Sequence, residues 1–151
     1  RWREDDADPR ATEFEWDLFV LAGERQKADN SIPSHRLGNI NGDLFSSPDG
    51  LAFDPDGRLW ILTDADEQAP YTADIGCNQM LCADPVSRET RRFPVGPRGA
   101  EITGITWTPD ARAMWVNVQH PGISYPASDG KTRPRSTTVL ITREDGGVIG
   151  S

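Results

Sequence analysis

The stretch Ser46–Asp64, SSPDGLAFDPDGRLWILTD, returns in altered form at Thr103–Val118, TGITWTPDARAMWVNV. Aligning Gly50-Leu51-Ala52-Phe53-Asp54-Pro55-Asp56-Gly57 on Gly104-Ile105-Thr106-Trp107-Thr108-Pro109-Asp110-Ala111 sets the two copies 54 residues apart. Each copy reads as strand, Pro-Asp turn, strand, with proline fixing φ and, in the first copy, Gly57 supplying the positive φ. A strand-rich unit recurring at about 40–50 residues marks the blade of a β-propeller. Such a unit buries its hydrophobic face only against stacked neighbours. The chain has room for about two blades, against roughly 4–8 in a closed ring. The expected fold is all-β: a partial propeller of about two four-stranded antiparallel blades after an N-terminal strand, an incomplete ring whose remainder lies upstream.

Working outward, residues 1–45 read as the strand and long loop of a preceding blade, 46–98 as one blade and 99–151 as the next. Thr12–Leu21, TEFEWDLFVL, alternates Phe14, Trp16, Leu18 and Val20 against Glu13, Glu15 and Asp17, the pattern of a half-buried strand. Ala22–Asn41 is polar and without period, a long loop of the kind that is usually functional or mobile. Gln79–Ala83 and Thr90–Phe93 make a second hairpin across Asp84-Pro85-Val86-Ser87. In the last unit, Ile102–Trp107 and Met114–Val118 are followed by a loop over 120–134, then by strands at Thr137–Thr142 and Gly147–Ile149. No segment reads as a helix. Trp16, Trp60, Trp107 and Trp115 fall in strand patterns and read as core.

A net charge of −8 excludes the basic stripe that a nucleic-acid surface needs. No apolar run approaches the roughly 18 residues of a membrane helix. Cys77 and Cys82 stand five apart in what reads as one strand, so their Cα atoms are about 16 Å apart on opposite faces. That is too far for a disulfide, and both are expected free.

The runs GNINGDLFSSPDGLAFDPDGRLWI (Gly38–Ile61), NQMLCADP (Asn78–Pro85), GAEITGITWTPD (Gly99–Asp110), VNVQHPG (Val116–Gly122) and RPRSTTVLI (Arg133–Ile141) carry a further signal. In this order they resemble the C-terminal part of the bacterial PhoX-type alkaline phosphatases, and the resemblance covers essentially the whole chain. It implies a propeller enzyme that hydrolyses phosphate monoesters, holds calcium and iron, and is exported to the periplasm or cell exterior by the twin-arginine route. It also implies that much of the active site lies upstream and that this segment alone is inactive. The family's iron-ligating cysteine has no counterpart here, and the loop Gly23–Leu37 departs from the family in length and composition.

In a propeller, the innermost strand of each blade lines a central channel and ligands gather at one mouth. Asp49 and Glu101 stand just before the first strands of successive blades, so both carboxylates are expected at one opening, where hard cations find the oxygen ligands they require. The competing reading makes Asp49 a turn residue and Glu101 a solvated edge residue. Arg1 or Arg3 could grip a phosphate through the guanidinium fork, with Glu4 beside them on a metal; otherwise the terminus is simply charged. His120, at a strand exit in VQHPG, is the candidate catalytic imidazole, against the plainer role of a turn residue. His35 lies in the variable loop. Asp54-Pro55-Asp56-Gly57 is no calcium loop, since Ala65 stands where an EF-hand requires glutamate. Asp64, Asp66, Glu67 and Asp74 form an acidic loop that reads as solvated, or as a peripheral calcium site.

Two rival functions fit the same blades: a calcium-dependent, gluconolactonase-like lactonase, which also uses Ser-Pro-Asp-Gly strand entries, and a non-catalytic propeller that binds a partner.

Overall fold

A computed structural model describes residues 1–122, 125–127 and 129–151. The repeated stretches form the paired hairpins that their sequences require. The first is β4 (Pro48–Phe53) against β5 (Leu59–Thr63), antiparallel, with Gly50 opposite Leu62 and Phe53 opposite Leu59. The second is β8 (Glu101–Trp107) against β9 (Ala113–Gln119), with Glu101 opposite Gln119 and Trp107 opposite Met114. Each carries a bulge in its first strand, between Pro48 and Gly50 in one and between Thr103 and Ile105 in the other.

Two sheets grow from these hairpins. In the first blade, β6 (Gln79–Ala83) pairs with β5 and β7 (Glu89–Val95) with β6, as expected, and the short β3 (Asn41–Gly42) adds to β7 in parallel. The sheet order is β3-β7-β6-β5-β4. Among the described residues the second blade has three strands in the order β10-β9-β8, with β10 spanning Thr137–Thr142. The expected fourth strand at 147–149 does not form. Ile149 instead donates its N–H to the Ala111 carbonyl (2.9 Å) and packs into the core at 2% exposure. An apolar side chain that would have covered a sheet edge thus fills the space between sheets.

The core follows from alternation along β5. Trp60 and Leu62 point toward the second blade and meet Met80, Ala100, Ile102, Met114, Val116, Val118 and Ile149. Ile61 points to the other face, with Leu81 and Ala83, and meets Ile40 and Phe45 from the long loop. A strand buried on both faces reads as a continuous apolar run, which is what LWIL provides. Burying each of these side chains contributes about 1.5–3 kcal/mol. Face-to-face stacking of the two sheets through the first cluster is the packing that a propeller repeats around its axis.

Three further expectations are corrected. The strand at 12–21 shrinks to β2 (Phe14–Trp16), paired with β1 (Trp2–Glu4), and its supposed buried face is open, with Phe14 58% and Trp16 70% exposed. Trp16 is therefore not core; a lone two-stranded hairpin offers its apolar side chains nothing to bury against. Helix among the described residues is limited to two three-residue 3-10 turns, Asp5–Ala7 and Ser34–Arg36, and one α turn, α1 (Thr72–Ile75), which closes the acidic loop and inserts Ile75 into the interior. Cys77 precedes β6 rather than lying in it, and both cysteines are free. The loop over 22–41 is ordered by a parallel bridge between Glu24 and Leu37 and by the buried Glu24 carboxylate paired with Arg36. Of the expected loop over 120–134, residues 123, 124 and 128 lie outside the described residues.

Candidate metal centre

Antiparallel pairing determines what stands at each end of the blades. The start of β8 and the ends of β5 and β9 fall at the same end, where the two sheets lie side by side. Glu101 opens β8, Asp64 follows β5, and His120 follows β9. One ligand atom from each of these three lies within 4.8 Å of the other two.

Glu101 is the fixed member. Its side chain is only 6% exposed, and its Oε2 accepts a hydrogen bond from Gln119 Nε2 (2.8 Å) and meets His120 Nε2 at 3.0 Å. His120 is held from behind. Its backbone N–H donates to Ser136 Oγ (3.0 Å), and a φ of 34° swings the chain out of the strand, leaving the imidazole 58% exposed. Asp64 is placed by its own N–H, which donates to the Ser47 carbonyl (3.0 Å), so the first residue beyond β5 stays tied to the entry of β4. Asp64 and His120 open on a cleft of about 450 Å³ that Asp66, Glu67 and Asn78 also line.

A carboxylate with almost no access to water is costly unless it is hydrogen-bonded or faces positive charge. Two carboxylates and an imidazole within one ion's reach give it a natural partner. The donor set fits a cation: carboxylate oxygens suit hard ions such as calcium, and the imidazole nitrogen extends the fit to iron.

The remaining candidates are placed elsewhere or stand apart. Asp49 lies in the bulge of β4, near the mouth because Pro48 pairs with Thr63, but it is exposed and is not among the converging residues. In the repeat alignment Glu101 falls on Ser47, not on Asp49, so the two acids are not equivalent positions. Arg1 is clamped by Asp17, Nε to Oδ1 at 2.6 Å and Nη2 to Oδ2 at 2.8 Å. Asp17 in turn meets Arg88 Nη2 at 3.0 Å. Arg88 belongs to the turn after β6, at the end of the sheet away from the triad, a strand length of about 16 Å. Arg3 faces Glu15 across the β1–β2 hairpin, and the Glu4 carboxylate accepts from Trp2 Nε1 (3.2 Å). The fold does not gather these three around Glu101. Asp64, read from sequence only as part of an acidic loop that is solvated or holds a peripheral calcium, is the addition. It follows the second strand of its blade as His120 follows the second strand of the next, and that shared position was the available signal.

The fold and the cluster together define a segment of an all-β propeller whose blade mouth carries a metal-type ligand set. The family model of alkaline phosphatase PhoX matches residues 1–122. A solved structure of Pseudomonas fluorescens PhoX in complex with vanadate, a transition state analogue, superposes with a TM-score of 0.86 at 46% identity, over 99% of this chain and 27% of that one. No curated protein matches. The chain belongs to the PhoX alkaline phosphatase family, and it spans about a quarter of the length of that solved relative.

Proposed function

We propose that this chain supplies part of the active site of a metal-dependent alkaline phosphatase that hydrolyses phosphate monoesters and releases inorganic phosphate. The observation that carries the reading is the convergence of Asp64, Glu101 and His120 within one ion's reach, in a chain of this family. Calcium and iron are the ions in this reading, and export to the periplasm or cell exterior is its setting. When bound, such an ion supplies the concentrated positive charge that a transferring phosphoryl group demands.

The chain's own residues do the rest. Glu101, buried and oriented by Gln119, holds a fixed negative charge at the mouth. Asp64 brings the second charge from the neighbouring blade. His120 reaches into the open cleft with Nε2 3.0 Å from Glu101 Oε2, so that, deprotonated, this nitrogen is offered to the same ion while the other ring nitrogen is left to donate to a substrate oxygen. Arg1, Arg3 and Glu4 remain assigned to phosphate and metal, and Asp49 to metal, only by the sequence reading; the geometry adds nothing to them.

The complete protein containing this chain is assayed on p-nitrophenyl phosphate and on a sugar lactone, before and after chelation. Chelator-sensitive hydrolysis of the phosphate ester, lost by at least about 100-fold in Glu101→Gln, is expected. Hydrolysis of the lactone alone, or full phosphatase activity in Glu101→Gln, overturns the reading. Residues 1–151 alone are expected to turn over neither substrate.

A further inference from the structure

Behind the triad sits an amide that joins its two acidic arms. Asn78 is 3% exposed and stands just before β6, between the end of β5 and the start of β8. Its Oδ1 accepts from the backbone N–H of Ala65 and from the Thr63 hydroxyl (3.3 Å). Its Nδ2 donates to the Ala65 carbonyl (3.3 Å) and to the Ala100 carbonyl (2.7 Å). Ala65 is the residue after Asp64, and Ala100 the residue before Glu101. One side chain therefore ties together the backbone on which both carboxylates are mounted, across two different sheets.

The direction of the amide is dictated by its partners. A backbone N–H needs an acceptor and two carbonyls need donors, so only one placement of oxygen and nitrogen satisfies all three. Asn78 is itself anchored, since its backbone carbonyl accepts from the Gly96 N–H (2.8 Å). Aspartate is the same shape but would set an oxygen against the carbonyls of Ala65 and Ala100, pushing the two arms apart. Supporting contacts of this kind are what hold ligands in register at metal sites.

We propose that Asn78 is a positioning residue that sets the separation of Asp64 and Glu101, so that both carboxylates and His120 meet a single cation. This rests on the metal reading above. The test uses the complete protein, stripped with chelator and titrated calorimetrically with Ca²⁺ and, under anaerobic conditions, with Fe²⁺. Wild type, Asn78→Asp, Asn78→Ala, Glu101→Gln and Leu81→Ala are compared, and thermal melting of each stripped protein is recorded alongside. Leu81 is buried on the face of β6 turned away from the second blade, so its truncation reports lost packing without touching the site.

Asn78→Asp is expected to weaken ion binding by about 10–100-fold, with Asn78→Ala intermediate, while Leu81→Ala melts earlier yet binds as wild type does. Where the aspartate variant does not fold, the alanine variant is read instead. Wild-type affinity in a folded Asn78 variant, with affinity lost in Glu101→Gln, overturns the positioning role and leaves the metal reading standing. Equal weakening in Leu81→Ala also overturns it, because any loss of packing would then suffice. A wild-type protein that binds neither ion sinks the metal reading itself, and the positioning role with it.

Discussion

The two hairpins that repeat along the chain share a plan and divide its duties. At the mouth, the first-strand entry and second-strand exit of one blade present Asp49 and Asp64, and those of the next present Glu101 and His120. Three of the four converge. Asp49 does not, because it is itself the bulged residue of β4, whereas Glu101 sits three residues ahead of the bulge in β8 and pairs in register with Gln119. At the other end the emphasis reverses. The first hairpin turns about Asp54, 6% exposed, and the second about Thr108 and Asp110, with the Asp110 side chain 62% exposed. Repetition of a backbone therefore does not repeat a role. The same hairpin serves as a structural anchor in one blade and, in the next, brings two of the three converging side chains to the mouth.

The anchor gives the largest stability effect. Asp54 accepts from the backbone N–H groups of Asp56 (3.0 Å) and Arg58 (2.9 Å), from Arg58 Nε (2.7 Å) and from Trp60 Nε1 (2.8 Å). Arg58 goes on to donate to the Gly150 carbonyl (2.8 Å), beside the buried Ile149. One carboxylate thus ties the turn, the core tryptophan and the end of the second blade together. Asp54→Ala leaves Arg58 Nε and the Trp60 indole N–H without their acceptor, although Arg58 keeps Asp56 and the Gly150 carbonyl, and is expected to cost about 3 kcal/mol. That corresponds to a melting temperature lower by on the order of 10 °C. Asp110→Ala, which removes a solvated carboxylate bonded mainly to the Thr108 hydroxyl (2.6 Å), is expected to change it by about a degree or two at most. Equal losses in the two variants would erase the asymmetry.

The same carboxylate gives the comparison a pH signature. Burial by itself pushes the Asp54 pKa up, but the hydrogen bonds from Arg58 and Trp60 outweigh it and hold the group below its ordinary 3.8. Because the folded value is the lower one, the stabilisation is fully present above the unfolded pKa. It fades as the pH falls through the folded pKa. Wild type and Asp54→Asn should therefore differ in melting temperature by a constant amount from neutral pH down to about 4, and converge below that. A gap that instead widens on acidification would show that the carboxylate is not the stabilising form.

How much of this was open to reading from sequence follows the same division. The hairpins were legible because Pro-Asp turns and alternating side chains are local, and β5 announced its double burial in an unbroken apolar run. Glu101 and His120 were legible as strand-end polar residues. Asp64 could not be singled out, because its convergence with Glu101 and His120 depends on which strands become neighbours: it stands among Asp66, Glu67 and Asp74, and sequence alone reads all four alike, as a solvated loop or a peripheral calcium site. The short β3, the lost strand at 147–149 and the open face of Trp16 share a cause. Each is decided by whether a partner surface is within reach, and no local pattern encodes that.

The smallest effect tests the turns themselves. Gly57 and Ala111 occupy equivalent positions and both adopt positive φ, 83° and 53°. A Cβ built on Gly57 meets nothing within 4 Å, so Gly57→Ala isolates backbone strain, about 1 kcal/mol of destabilisation. Ala111 already bears that strain, and it is buried at 5% exposure, with its carbonyl accepting from the Ile149 N–H. Ala111→Gly relieves about 1 kcal/mol of strain but gives up about 0.8 kcal/mol of methyl burial and makes the unfolded chain more flexible. The net change is expected within about 0.5 kcal/mol of zero. Thermal melting of the two single variants checks this: a clear gain from Ala111→Gly would mean that the methyl contributes nothing to the core, and that the second turn kept alanine at a strained position without packing to offset it.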